Sequence, residues 1–355
     1  MSDKNSHLIF LIQSFEQPRI LKIIIDKSKE YKNIYVYGFD RKIHSVENYR
    51  ILDAYDNIKY EIVGTMEDKR YWNRFFQYLK LLRIIYKKHG FSKKRFYVVG
   101  IDLRMLCVPV INKHVDYAIS DIAWLYFPKP YKALVGFIDK MLAKFSDKVL
   151  FTSMGFYEAH YKNYVSKKQL VLTENKLATY GRVFPIDKLK DDKVRIAYVG
   201  AFRYKDIISN LLNVVKNNND LVLNFYGDGF SDIVEKMKNH AEEYDNITFN
   251  GAFKNPDDLQ KIYEENNINF VVYNNRFENE RVAMPNKFYE SGFFNVPIVC
   301  ATNTYVGKRA LELGMGWTTD ITQESIQEFF DSMDVKQIID CHNRIKLLDK
   351  SLFNY

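Results

Sequence analysis

The residues in this 355-residue sequence best suited to chemistry cluster between Asn269 and Ala301. Pro285 opens a short helical stretch, Asn286 to Phe294, with Lys287 in its first turn and Glu290 one turn on. Proline suits a first helical position because its φ is fixed and its missing N–H is not needed there. A helix N-terminus aims unpaired N–H groups and a partial positive charge outward. Asn286 and Lys287 therefore make an anion site, and Glu290 can accept hydrogen bonds from a sugar diol. A diphosphate beside a ribose would satisfy all three. The plainer alternative, that Lys287 and Glu290 are solvated first-turn residues, stands beside it.

Further candidates sit in loops. Gly200 allows close backbone approach, and Arg203 and Lys205 follow it as two cations able to stabilise a departing diphosphate. Gly227 and Gly229 form a Gly-x-Gly whose simplest use is a tight turn. Asn250 lies in the segment FNGAF, and Arg276 opens a polar loop running to Arg281. No Asp-x-Asp occurs, so a metal-bridged diphosphate is not expected, and no cofactor is expected beyond the donor itself. Cys107, Cys300 and Cys341 are scattered and show no metal-ligand spacing, which reads as reduced thiols.

These loops need strands to place them. Short apolar runs at 8–12, 34–37, 58–63, 96–99, 115–119, 149–152 and 170–172 alternate with helical stretches at 19–31, 71–89 and 132–145. A second series at 194–199, 221–226, 247–249, 270–273 and 298–301 recurs about every 25 residues, which is βα spacing. The pattern predicts two doubly wound α/β domains, with ligands at the carboxyl ends of the strands. The boundaries are 1–175, a polar linker at 176–193 broken by Gly181 and Pro185, a second domain at 194–335, and a last helix at 336–355 crossing back to the first domain. No Gly-x-Gly-x-x-Gly follows the first strand, which leaves a dinucleotide dehydrogenase unsupported.

The segment MPNKFYESGFFNVPIV resembles the P-N-K-hydrophobic-hydrophobic-E segment of bacterial GT-B glycosyltransferases, the retaining family 4 that builds capsules, O-antigens and exopolysaccharides from nucleotide sugars. The resemblance implies a GT-B fold, two Rossmann-like domains facing a central cleft, with the nucleotide sugar on the second and the acceptor on the first. It implies that Glu290 holds the nucleotide ribose, that Gly200 with Arg203 and Lys205 meets the diphosphate, that Gly227 and Gly229 match the family's Gly-x-Gly, and that FNGAF holds the base. In the first domain, DYAISDIAWLYF and VLTEN are similar to the family's segments that place Asp121 near the cleft and Asn175 at the domain exit. Two positions depart from the pattern: Val282 stands where the first Glu of a Glu-x7-Glu pair would fall, and Ser120 where a His often precedes the Asp.

The implied activity is transfer of a sugar, from UDP-sugar, to a glycan or polyprenyl-diphosphate-linked acceptor. A UDP-sugar 2-epimerase shares the architecture, and a non-catalytic sugar-nucleotide-binding partner subunit is a third reading.

The formal charge of +8 is unevenly placed: residues 1–175 carry 30 basic against 18 acidic residues, and 176–355 carry 22 against 26. From Lys69 to Phe96 there are ten basic residues, many aromatic ones and no acid. Such a helix suits an anionic membrane surface, although its aromatic stripe would equally serve as a core-facing side. A nucleic-acid groove is disfavoured by the acidic second domain. No apolar run is long enough to span a bilayer, so the expectation is a cytoplasmic protein, peripheral on the inner face of the cell membrane.

Overall fold

The computed structural model describes residues 5–15, 18–40, 48–66, 71–90, 94–108, 112 and 114–355. The chain divides into two compact units, Met1–Glu174 and Asn175–Tyr355.

The first unit is built on seven strands: β1 (Asn5–Leu11), β2 (Tyr31–Asp40), β3 (Ile58–Thr65), β4 (Arg95–Val99), β5 (Val115–Ile119), β6 (Lys148–Phe151) and β7 (Leu170–Leu172). Their order is β3-β2-β1-β4-β5-β6-β7, and every pair is parallel. Leu8, Ile9, Phe10 and Leu11 in β1 and Val98 in β4 are buried on both faces, as a parallel sheet sandwiched by helices requires. The helices are α1 (Pro18–Ser28), α2 (Tyr71–His89), α3 (Ile101–Cys107), α4 (Lys129–Lys144) and a short α5 (Met154–Phe156). Right-handed crossovers put α1 on one face of the sheet and α2, α3 and α4 on the other. Consistent with this, α3 packs against both α2 and α4.

The second unit has six strands: β8 (Val194–Phe202), β9 (Leu221–Gly229), β10 (Ile247–Gly251), β11 (Ile268–Val271), β12 (Ile298–Ala301) and β13 (Gly316–Thr319). Their order is β10-β9-β8-β11-β12-β13, again all parallel. Around them lie α6 (Lys205–Val215), α7 (Ser231–Glu243), α8 (Leu259–Glu264), α9 (Glu278–Val282), α10 (Asn286–Phe294), α11 (Tyr305–Glu312), α12 (Gln323–Asp331) and α13 (Val335–Lys346). The segment expected as a linker packs on this unit, sending Leu177, Val183, Ile186 and Leu189 into its core.

The last helix is shorter than its sequence pattern suggests. It ends at Lys346, a 3-10 turn covers Lys350–Leu352, and Phe353 is fully buried in the second unit. The tail closes on the unit's own first residues, where Leu177 N–H donates to Phe353 O at 2.8 Å and Tyr355 N–H to Leu177 O at 3.2 Å.

Candidate functional site

The site helix α10 spans Asn286–Phe294, the stretch expected, with Pro285 serving as its cap and not as its first helical residue. Pro285 caps it in an extended conformation (ψ 155°), and Asn286 is its first helical residue. Asn295 ends it in the left-handed region at φ 64°, where asparagine is tolerated. The far end of α10 is held from three directions. Asn295 Nδ2 donates to Ile186 O at 2.9 Å, Lys350 Nζ donates to Gly292 O at 3.0 Å, and the Phe353 ring fills the space a side chain at Gly292 would need. Burial pushes the Lys350 amine down to about 8.

At the near end, Lys287 Nζ donates to both oxygens of Glu290, at 2.9 and 2.8 Å. The same amine lies 5.3 Å above the Phe253 ring, and the Lys287 stem passes over Gly200 at van der Waals distance from where a Cβ would stand. Three of the four predicted loops therefore meet at one lysine. The fourth joins through the backbone: Gly227, at φ 141°, approaches Gly200 so closely that a Cβ there would lie 1.9 Å from Gly200 O. Only glycine fits that approach. The Gly-x-Gly is not a turn. Gly227 and Gly229 pair with Gly200 and Phe202 as continuations of β9 and β8.

Glu290 is 1% exposed, so the solvated first-turn reading does not hold for it. Besides Lys287 it accepts a hydrogen bond from Tyr263 Oη at 2.8 Å. Asn269 Nδ2 donates to Tyr263 Oη at 3.1 Å and to Ser291 Oγ at 2.8 Å, which ties α8, β11 and α10 together beneath the pair. Burial, reinforced by the Glu290 charge, drives the Tyr263 hydroxyl well above its ordinary pKa, so it stays a donor. Neither Tyr263 nor Asn269 is among the residues the sequence singles out for the site. The available signal was Asn269 itself, a polar residue inside an apolar strand, which must find partners when buried.

The other predicted residues are more dispersed. Lys205 opens α6 and is paired at 2.7 Å with Asp232 in the first turn of α7, both well exposed. Arg203 is exposed, and no ion-pair partner is found for it among the described residues. Between them, Tyr204 is largely buried against the Tyr273 ring (5.5 Å), with its hydroxyl 3.5 Å from Glu280 Oε1. Burial, and then the charge of Glu280, raises the Tyr204 hydroxyl pKa strongly. Glu280 thus brings a carboxylate into this region two residues from Val282. Asn250, Arg276 and Asn286 are exposed, in β10, in the loop beyond β11 and at the start of α10.

Asp121 belongs to the first unit, exposed just beyond the carboxyl end of β5. Beside it, Ser120 Oγ accepts from the Arg19 guanidinium. The turn that follows is anchored by Asp139 of α4, which accepts from Trp124 Nε1 at 2.7 Å, Tyr117 Oη at 2.6 Å and the Tyr161 hydroxyl. His114 stands at the amino end of β5, away from Asp121. Among the described residues no group of three or more His, Cys, Asp or Glu side chains is placed to hold a metal ion. Cys107, Cys300 and Cys341 are free and buried.

No family model matches the sequence, and no curated protein matches it. Solved structures do. Anabaena Alr3699/HepE in complex with UDP-glucose superposes with a TM-score of 0.67 at 12% identity, over 98% of this chain and 95% of that one. The fold is GT-B. The lipopolysaccharide outer core galactosyltransferase WaaB matches at 0.60 and 14% identity, covering 98% and 96%. A structure described as a putative UDP-N-acetylglucosamine 2-epimerase from Listeria monocytogenes matches at 0.61 and 8% identity, covering 99% and 92%. At these identities the likeness is one of fold. Proteins described as glycosyltransferases and as an epimerase both lie within it.

Proposed function

We propose that this chain is a glycosyltransferase of the family 4 type. It would move a sugar from a UDP-sugar to a glycan or polyprenyl-diphosphate-linked acceptor in surface polysaccharide assembly. The observation that carries the proposal is the convergence at Lys287. Its ammonium, the N-terminus of α10, the bare backbone at Gly200 and the Phe253 ring gather in one place at the carboxyl ends of the strands. That arrangement suits a nucleoside diphosphate: N–H groups and a cation for the phosphates, a carboxylate behind them for the ribose.

In this reading the diphosphate leaves into fixed positive potential, the largest electrostatic contribution available to such a site. Lys287 supplies a charge already oriented by Glu290. Arg203 is an exposed cation at the end of β8 that can close on the phosphates, whereas Lys205 must first give up Asp232. The reaction is taken as retaining and metal-independent, with Asp121 on the acceptor side and the chain peripheral on the inner face of the membrane through the basic stretch 69–96, of which Tyr71–His89 is helix α2 and Arg95 and Phe96 belong to strand β4. Lys69, Arg70 and Lys93 of that stretch lie outside the described residues.

The epimerase reading is favoured by the presence of such a protein among the matching structures. Proton NMR of UDP-sugars incubated with the protein separates the two. A transferase releases UDP only when an acceptor is supplied. An epimerase converts UDP-N-acetylglucosamine to its 2-epimer with no acceptor, and that product would overturn the proposal. A non-catalytic partner subunit would bind UDP and produce neither.

A further inference from the structure

Of all the asparagines in the chain, only Asn250 is followed by glycine. The side-chain amide of an asparagine is open to attack by the backbone nitrogen of the next residue. A Cβ on that next residue hinders the approach, and glycine removes the hindrance. Folding usually protects such a pair by holding the amide in hydrogen bonds and the backbone in a regular ladder. Asn250 has neither protection. It is exposed, and its side chain makes no hydrogen bond among the described residues. It also stands at a β-bulge. Phe249 of β10 pairs with Phe225 of β9, and Gly251 pairs with Tyr226, so β9 offers no partner to the residue between them. β10 is an edge strand, with β9 as its neighbour on one side only. The space over Gly251 is open as well: a Cβ there would meet the Phe249 ring at 3.8 Å and no other described atom within 4 Å.

Two neighbouring residues show what protection looks like. Asn246, just before β10, donates through Nδ2 to Val215 O at 2.9 Å and to Asn218 O and Leu221 O at 3.0 Å each, and the branched Ile247 follows it. Asp228–Gly229 has the same backbone pattern as Asn250–Gly251. Its side chain is already a carboxylate, a poorer electrophile than an amide. Gly229 N–H donates to that carboxylate at 2.8 Å, and Gly229 pairs with Phe202 in the ladder.

We propose that Asn250 is a modification site, where the chain deamidates itself through Gly251. Hydroxide takes the proton from the Gly251 nitrogen, which then bonds to Asn250 Cγ. The bond from Cγ to the amide nitrogen breaks, and that nitrogen leaves as ammonia. The product is a five-membered succinimide. Water adds to one of its two carbonyls and opens it, to aspartate or to isoaspartate, in which the main chain runs through the former side chain. Hydroxide and water are the only co-reactants.

Either product places a new carboxylate at the end of β10. From there the chain runs to Phe253, whose ring lies 5.3 Å from Lys287 Nζ. A negative charge on this segment opposes a diphosphate at Lys287, so the modification acts as a slow timer on nucleotide binding. This consequence rests on the nucleotide-binding reading of the second unit. The deamidation itself does not.

The test is incubation of the native full chain in warm, mildly alkaline buffer, followed by peptide mapping with fragmentation that separates isoaspartate from aspartate. Asn250 should convert faster than every other asparagine, at a rate proportional to hydroxide, and release ammonia in equal amount. Asn250→Gln should not convert over the same period, because its ring would need an extra atom. The proposal is overturned if Asn250 stays intact in the native protein while the same residue converts in urea, or if another asparagine converts first. UDP titration reads the consequence. Incubated wild type should bind UDP roughly two- to fivefold more weakly than fresh wild type, the range of one exposed charge–charge contact. Incubated and fresh Asn250→Gln should bind alike. Equal affinity in fresh and fully converted wild type would overturn the timer. Absence of UDP binding in fresh wild type would instead sink the nucleotide reading, and the mass measurement would still decide the site.

Discussion

Replacing Lys287 with methionine should cost more than replacing its partner. The ion pair it makes with Glu290 is largely enclosed, with the side chains 12% and 2% exposed. Methionine keeps the packing across Gly200 but removes the charge. Glu290 is then a buried carboxylate that still accepts from Tyr263 at 2.8 Å but has lost its counter-charge. Breaking a buried pair from one side typically costs about 3–5 kcal/mol, and the partial exposure of Lys287 points to the lower end, about 3. Glu290→Gln leaves a smaller deficit. The amide oxygen still accepts from Tyr263, and the Lys287 head can turn to water, so the loss is about 1–2 kcal/mol, that of a hydrogen bond to a charged group. In the double variant no buried charge is stranded. It should therefore be more stable than the sum of the singles predicts, by roughly 1–2 kcal/mol in a double-mutant cycle. Urea unfolding followed by circular dichroism and by tryptophan fluorescence gives all four values, provided the two probes coincide. Equal costs for the two single variants, or strict additivity, would refute the claim that this pair is a buried, coupled unit.

Three further outcomes are expected. Gly292→Ala should destabilise the second unit by about 1–3 kcal/mol in the same urea assay, because the new Cβ meets the enclosed Phe353 ring at 2.3 Å. Burial lowers the Lys350 pKa from 10.5 to about 8. A cation whose folded pKa is depressed adds stability above its unfolded pKa and loses it as pH falls through the folded one. Wild type should therefore gain stability relative to Lys350→Met as pH rises from 8 to 10.5, and a flat difference in melting temperature over that window would count against the burial. The three thiols are enclosed, and burial pushes Cys107 up to about 12 and Cys341 to about 11. Ellman's reagent should find no reactive thiol in the native protein at neutral pH and three in urea.

Local pattern carried much of this fold. Helices Tyr71–His89 and Asn286–Phe294 have the bounds their apolar spacing and flanking residues indicate. Most strand cores lie where short apolar runs stand, because a parallel strand buried on both faces must be apolar throughout. What escaped was set by tertiary contact. β13 (Gly316–Thr319) is a half-buried edge strand opened by glycine, too short and mixed to read as one. The two glycines of YGDGF look like a turn, but they extend β9 against β8, because the pairing of Gly227 with Gly200 cannot be read from either segment alone. The same holds for the site. Lys287 and Glu290 were legible as helix chemistry. Their burial and the support from Tyr263 and Asn269 depend on how α8 and β11 pack. Lys205 looks like a free cation in sequence because Asp232 lies a whole βα unit away.

The central claim is that the second unit binds a nucleoside diphosphate at Lys287. Calorimetric titration of the purified protein with UDP, GDP and ADP, repeated with EDTA, tests it most directly. The account predicts that UDP binds in preference to the other two, unaffected by EDTA, and that Glu290→Ala weakens it by about 1–3 kcal/mol. Binding of none of the three, or UDP affinity unchanged in Glu290→Ala, would contradict it.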